Sequence, residues 1–245
     1  MKNKTILLTG TTGFIGFKFL SFIISKNFFV IDILRNKNKN NKKLKKLKNL
    51  YPKKYKNIFF SNNNELLKKL KNINVDYFIN FATLYNNDHS HHQIKDFVNS
   101  NILFPTIIYD IISNKTKKMI NFGSMMQHSK DKDLVSKNFY AATKNAFEMI
   151  SNYYAKKNKK TKFYNIKFYE SVGDNDKRKK IIPTIINNYK KNTTTNILSK
   201  KLALNIIHTD DIINSIMILL NNDIKSGSYC IKNKYNINPA YKIPR

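Results

Sequence analysis

A doubly wound parallel α/β sheet with a small C-terminal portion is the fold class that this sequence predicts. Two observations carry the prediction. Short apolar runs alternate with longer stretches of helical periodicity, as in parallel strands joined by crossover helices. The chain has only 6 glycines, and three of them fall in Thr9-Gly10-Thr11-Thr12-Gly13-Phe14-Ile15-Gly16, between the first apolar run and the first helical stretch. A chain so poor in glycine keeps it where a side chain is forbidden, here in a tight strand-to-helix turn.

The elements follow in order. Residues 5–9 read as the first strand, 14–25 as a helix and 28–34 as the second strand. Residues 36–50 are lysine-rich with Leu44, Leu47 and Leu50 at helical spacing, and the pattern stops before Pro52. A short third strand at 58–60, a helix at 65–71 and a fourth strand at 75–82 come next. A helix over 93–113 contains Pro105, and the fifth strand is 118–122. A helix at 138–157 and a sixth strand at 162–169 complete the regular part. Beyond Gly173 the pattern loosens to helices at 181–189 and 210–220 and a late strand at 229–231. The regular part over residues 1–170 and the looser part over 171–245 are therefore read as two portions of unequal size.

Composition sets bounds. Aromatic residues at 13% and apolar residues at 41% exclude a disordered chain. Lys2 and Lys4 followed by Ile6-Leu7-Leu8 imitate a leader peptide, but Gly10, Gly13, Gly16 and Lys18 interrupt the apolar run. No apolar stretch has the length of a membrane span. The single cysteine, Cys230, suits a reducing compartment, and a cytoplasmic location is expected. A net charge of +30 raises a polyanionic partner as an alternative. The lysines run through nearly every segment, although 36–56 is a true concentration, so no specific nucleic-acid partner is expected.

In a βαβ unit, a glycine-rich turn lets a pyrophosphate approach the backbone at a helix N-terminus. Gly10, Thr12, Gly13, Phe14, Ile15 and Gly16 are thus the expected dinucleotide contacts. Together with Asn121-Phe122-Gly123-Ser124 and Tyr140-Ala141-Ala142-Thr143-Lys144, this stretch resembles the extended short-chain dehydrogenases/reductases of the NAD-dependent epimerase/dehydratase group. Within that group, the segments 123–128, 139–147 and 173–178 most resemble nucleotide-sugar reductases akin to CDP-abequose synthase. The resemblance implies a Rossmann-type dinucleotide-binding domain with the catalytic residues over 1–170, a substrate-binding portion over 171–245 whose closing C-terminal part is shorter than is usual, a nucleotide-sugar substrate, and a homodimer through the helices at 93–113 and 138–157.

The chemistry of the matched residues agrees. Tyr140 and Lys144 are i and i+4 and share a helix face, so an ammonium beside the phenol is expected to bring its pKa towards working pH. Ser124, at a strand end, is the candidate hydrogen-bond donor to the substrate oxygen. By resemblance, Lys144 also holds the nicotinamide ribose, Phe81-Ala82 border the cofactor or Phe81 is core, and Asn101 supports the site or is a solvated helix residue. His208-Thr209-Asp210-Asp211 matches a family segment and reads equally as a helix cap through Thr209 or Asp210. His89, His91 and His92 lack metal-ligand spacing, so a loop is expected and no metal.

Cofactor choice turns on the end of the second strand. Counting from the glycine loop puts the ribose-reading position near Leu34, with Arg35 next and Asp32 inside the strand. Arg35, with Lys37 nearby, would attract a 2′-phosphate, which favours NADP; a slip of two residues would make Asp32 an NAD ligand. Met125-Met126 stand where dehydratases of the family carry an Asp-Glu pair, which disfavours dehydration. The expected reaction is reduction of a 4-keto-deoxysugar with Tyr140 as proton donor, Arg178 meeting the diphosphate or standing as a solvated charge among its neighbouring lysines. An NAD-dependent epimerase is the alternative enzyme, and a non-catalytic NADP-binding or polyanion-binding protein the alternative of another class.

Overall fold

The computed structural model describes residues 4–128, 135–197 and 203–237. Seven strands form one sheet in the order β3-β2-β1-β4-β5-β6-β9, every neighbouring pair parallel. They are β1 (Lys4–Thr9), β2 (Phe28–Arg35), β3 (Tyr55–Phe60), β4 (Tyr77–Asn80), β5 (Lys118–Phe122), β6 (Lys162–Lys167) and β9 (Gly227–Cys230). The strands are rich in Ile, Phe and Tyr, and both sheet faces are covered. Alternation splits β1: Ile6 and Leu8 pack with Phe19, Leu20 and Ile23 of α1 (Phe14–Ile23), while Leu7 joins the opposite core with α5 (Phe104–Ile112) and α6 (Phe139–Lys157). The strand order reverses at β1, between β2 and β4, and such a switch point opens a crevice at the strands' carboxyl ends.

A row of buried polar side chains crosses the four central strands. Thr9 Oγ1 donates to Asn80 Oδ1 at 2.6 Å, Asn80 Nδ2 to Asn121 Oδ1 at 3.0 Å, and Asn121 Nδ2 to Asn165 Oδ1 at 3.3 Å. These residues are register partners, each at or below 2% exposed. A slip of one residue would leave several of these groups buried without partners, so the row defines the register.

Several elements depart from the sequence expectation. The third strand starts at Tyr55 rather than 58, because the Tyr55 hydroxyl reaches inward to Asp32. The fourth stops at Asn80, since Phe81 and Ala82 turn away to meet the glycine loop. The lysine-rich segment is a 3₁₀ turn over Asn36–Asn38 and then α2 (Lys42–Leu50), capped by the Asn41 side chain accepting from Leu44 N. The helix expected over 93–113 divides into α4 (Ile94–Val98), a π turn (Asn99–Leu103) and α5. The other matched helices are α3 (Asn63–Leu70), α7 (Ile181–Lys190) and α8 (Thr209–Asn221). The sixth strand ends at Lys167, and a separate pair, β7 (Glu170–Val172) with β8 (Ile206–His208), went unforeseen because three residues carry no readable period. Among the described residues no helix is long and apolar enough to cross a membrane.

Asp32 is fully buried in β2. Thr11 Oγ1 and the Tyr55 hydroxyl both donate to its Oδ2 at 2.6 Å, and its Oδ1 has no partner among the described residues. Burial outweighs these two bonds and pushes the carboxyl up to about 7. Between about pH 4 and pH 7 the unfolded chain therefore releases a proton that the folded chain keeps, and stability falls as pH rises through that window. Asp32→Asn removes the titration. Its stability relative to the native protein should rise by a few kcal/mol from pH 4 to pH 8 in denaturant unfolding; parallel pH profiles would contradict the assignment.

Candidate functional site

The glycine loop lies in the crevice after β1. Gly10 has φ +72°, and a Cβ there would collide with the backbone of Phe81 and Ala82. Gly16, in the first turn of α1, is likewise closed by the Gly10 carbonyl. Gly13 faces more open space, its nearest obstacle being Gly10 O at 3.2 Å. No side chain among the described residues caps α1, whose first turn-closing bond runs from Phe17 N to Gly13 O at 2.9 Å. The N–H groups of Phe14, Ile15 and Gly16 precede that bond and are free for an anion, at the positive end of the helix. A cradle that side chains would fill, with free donors aimed into it, fits a dinucleotide pyrophosphate.

The loop borders a cavity of about 680 Å³ lined also by Phe81, Ala82, Ser124, Tyr140 and Lys144. Ser124 follows β5; its N–H donates to Gln127 Oε1 at 2.8 Å and its Oγ accepts from Met126 N at 3.2 Å. Gln127 is held in turn by Asn145 and by Glu148, so the strand end is fixed from α6. Tyr140 and Lys144 are one turn apart on α6, both buried. Asn138 caps this helix, accepting from Ala141 N at 3.0 Å.

The expected lowering of the Tyr140 pKa is corrected. Burial pushes the phenol up to about 12, a hydrogen bond with Thr83 opposes this, and Lys144 is not among the influences. Lys144 itself is pushed down to about 8 by burial, partly offset by Glu148. At neutral pH the phenol keeps its proton and the ammonium is mostly charged.

Asn101 is not a solvated helix residue. It is 2% exposed in the π turn, accepting from Thr83 Oγ1 and Leu84 N at 3.2 and 2.7 Å and donating to Leu84 O and Thr143 Oγ1 at 3.0 and 2.9 Å. Asn101 thereby ties the loop after β4, which carries Thr83 against Tyr140, to α6.

With this geometry in view, comparison with known proteins gives a consistent result. The model of the NAD dependent epimerase/dehydratase family matches residues 6–237. The chain belongs to this family. A CDP-abequose synthase of Yersinia pseudotuberculosis is 29% identical over 226 residues, 91% of this chain and 75% of that protein. Among solved structures, MoeE5 in complex with UDP-glucose and NAD superposes with TM-score 0.77 at 15% identity, covering 95% of this chain and 77% of that one. The UDP-glucuronic acid 4-epimerase from Bacillus cereus in complex with NAD gives 0.76 at 16% identity, covering 95% and 79%. These structural likenesses show the Rossmann-type fold.

The remaining candidates of this family member sort by position. Arg35 ends β2 at the cavity rim, its Nη2 donating to Ser100 Oγ at 2.9 Å, with Lys37 on the same wall. Asp32 lies buried within β2 and does not line the cavity. Arg178 is not a solvated charge among lysines: it borders the cavity and is bound to Asp176 and Ser171. The cap of α8 is neither Thr209 nor Asp210 but His208, whose Nδ1 accepts from Asp210 N at 3.3 Å. His89 stacks on Phe139 at 4.4 Å, and no metal-holding cluster occurs among the described residues.

Sequence reasoning missed Tyr85, Glu170 and Lys180, all on the cavity wall. Tyr85 stands edge-on to Tyr140 at 4.9 Å, and Lys180 pairs with Glu170 at 2.7 Å. No motif marks them; they meet through β7, which was itself unforeseen. Gly10→Ala combines strain at positive φ with a backbone collision. It should cost at least about 2 kcal/mol of folding stability, read by denaturant unfolding; a melting temperature equal to that of the native protein would refute the close-approach argument.

Proposed function

We propose that this protein is an NADP-dependent reductase of a nucleotide-linked 4-keto-deoxysugar, with Tyr140 as proton donor. The observation that carries the reading is that Ser124, Tyr140 and Lys144 border the same cavity as the glycine loop. Glu170 is the only carboxylate on the cavity wall among the described residues, and it is paired with Lys180. Met126 lines the wall after Ser124. Elimination of water needs a free acid–base pair there, so reduction is the better match.

A reduced nicotinamide, when bound, supplies the hydride for the carbonyl carbon. The chain's own groups handle the oxygen. Tyr140 enters the step protonated, as burial ensures, and delivers its proton to the oxygen as negative charge builds there. The Ser124 hydroxyl donates a hydrogen bond to the same oxygen. Lys144, one turn along α6, opposes the negative charge left on the phenol and is assigned to the nicotinamide ribose. Arg178, its guanidinium oriented by Asp176, is assigned to the substrate diphosphate. A homodimer through α4 to α6 belongs to the same reading, supported by Ile94, Val98, Met149 and Tyr153 exposed on those helices.

Arg35 and Lys37 at the rim, with Asp32 withdrawn, support NADP over NAD. Arg35→Ala should cost NADPH about 1.5–3 kcal/mol of binding and leave NADH nearly unchanged in calorimetric titration. Equal NADPH and NADH affinities in the native protein would favour the second reading, an NAD-dependent epimerase, to which the NAD-bound epimerase among the structural neighbours points.

Tyr140→Phe keeps the ring and removes the acid. On a 4-keto nucleotide sugar that the native protein reduces, turnover should fall by about 10²–10⁴-fold while NADPH binding survives. Lys144→Met should damage turnover and cofactor affinity together, and Ser124→Ala turnover alone. Near-normal turnover of Tyr140→Phe would remove the mechanism.

A further inference from the structure

The guanidinium of Arg178 is held more firmly than a diphosphate contact requires. Nε and Nη2 donate to the two Asp176 carboxylate oxygens at 2.8 and 2.6 Å. Nη1 donates to Ser171 Oγ at 3.1 Å and Nη2 to Ser171 O at 2.6 Å. The plane so fixed lies over the Phe14 ring, 4.3 Å from its centroid. Phe14 is the first residue of α1, and its N–H is one of the free donors of the glycine loop. One turn further on the same helix face, Lys18 reaches Asp174 at 3.5 Å. Gly173 leaves no room for a Cβ against Thr209 of α8. The loop over 173–178 is therefore anchored to α8 at its start and to the first turns of α1 along its length.

We propose that Arg178 is a positioning residue that couples the two halves of the cavity, so that a dinucleotide at the glycine loop tightens binding of the sugar nucleotide's diphosphate, and the reverse. The inference rests on the function proposed above. An anion drawn onto the first turn of α1 settles Phe14, and the ring, in contact with a guanidinium that four bonds hold flat, settles Arg178. The cation–ring attraction strengthens as water leaves the cavity, which happens only when both ligands are present. Coupling of this kind is necessarily reciprocal. A lysine could supply charge at this position but neither the fork that grips Asp176 and Ser171 nor the flat face.

The test is calorimetric titration of cytidine diphosphate with and without saturating NADPH, and of NADPH with and without cytidine diphosphate. The native protein should show each ligand tightening the other by the same factor, about 5- to 100-fold. Arg178→Lys and Phe14→Leu should each bring that factor close to one, and the double variant should lose no more than either single change. The ratio is the readout, because loss of a phosphate contact alone lowers affinity without altering it. Phe14→Leu keeps the backbone donors and the apolar bulk, so it decides the matter even if the Arg178 variant folds poorly. Independent binding of the two ligands by the native protein, or coupling that persists in both variants, overturns this inference and leaves the proposed function standing. Failure of NADPH and NADH to bind at all overturns the reading of the cavity, and the coupling with it.

Discussion

The row of hydrogen bonds from Thr9 through Asn80 and Asn121 to Asn165 is the interaction on which the remaining geometry depends. It sets four parallel strands in one register, and the next residue on each of the first three belongs to the site. Gly10 follows Thr9, Phe81 follows Asn80, and Phe122 follows Asn121. Because these three are level, the Gly10 backbone presses on that of Phe81, and the Phe81 ring stacks on Phe122 at 4.8 Å. Phe122 leads into Gly123 and Ser124. A continuous set of packed groups thus joins the glycine turn to the strand end that carries the Ser124 hydroxyl. An apolar row would bury the sheet equally well, but it would tolerate other registers.

Burial decides the electrostatics of the site more than proximity does. Tyr140 and Lys144 lie within one helical turn, yet each is moved by the loss of water rather than by the other. Glu148, a further turn along α6, meets Lys167 at 2.9 Å and accepts from Gln127, whose amide oxygen in turn holds the Ser124 N–H. The strand end after β5 and helix α6 therefore share one polar network. The large excess of lysine elsewhere has little part in it, since those charges are mostly solvated and screened over about 10 Å.

The parts of this molecule that were legible in the sequence are those in which a local pattern has a single physical cause. Buried parallel strands are mostly apolar, so β1, β2 and β5 were readable as runs, and a glycine cluster between strand and helix marks a close backbone approach. The parts that were not legible depend on partners distant in the chain. The count from the glycine loop put Asp32 inside β2 but could not show what holds it there; its burial is set by Thr11 and by Tyr55, 23 residues away. The pair β7 and β8 spans three residues each and is held by strand pairing that no short window contains. The Tyr140 hydroxyl followed a local argument about Lys144 and is governed instead by burial, with lesser contributions from Thr83 and Tyr85, which arrive from the loop after β4. Lys180 and Glu170 went unseen for the same reason.

The π turn over Asn99–Leu103 gives the crossover helix between β4 and β5 one residue more than its length as a regular helix would need. Residues of an α-helix advance by about 100° each, so an extra residue turns everything beyond it by that angle relative to everything before it. Asn101 uses the widened turn to face Thr83, Leu84 and Thr143 at once, while Phe97 on one side and Ile108 on the other still point into the protein. Removing a single residue from this stretch would give a smoother helix and a more favourable set of backbone bonds. It would also swing either the α4 end or the α5 end out of phase with the core. The irregularity is thus a phase correction, and the segment can be shortened or lengthened without ruin only in steps that restore the facing of both ends.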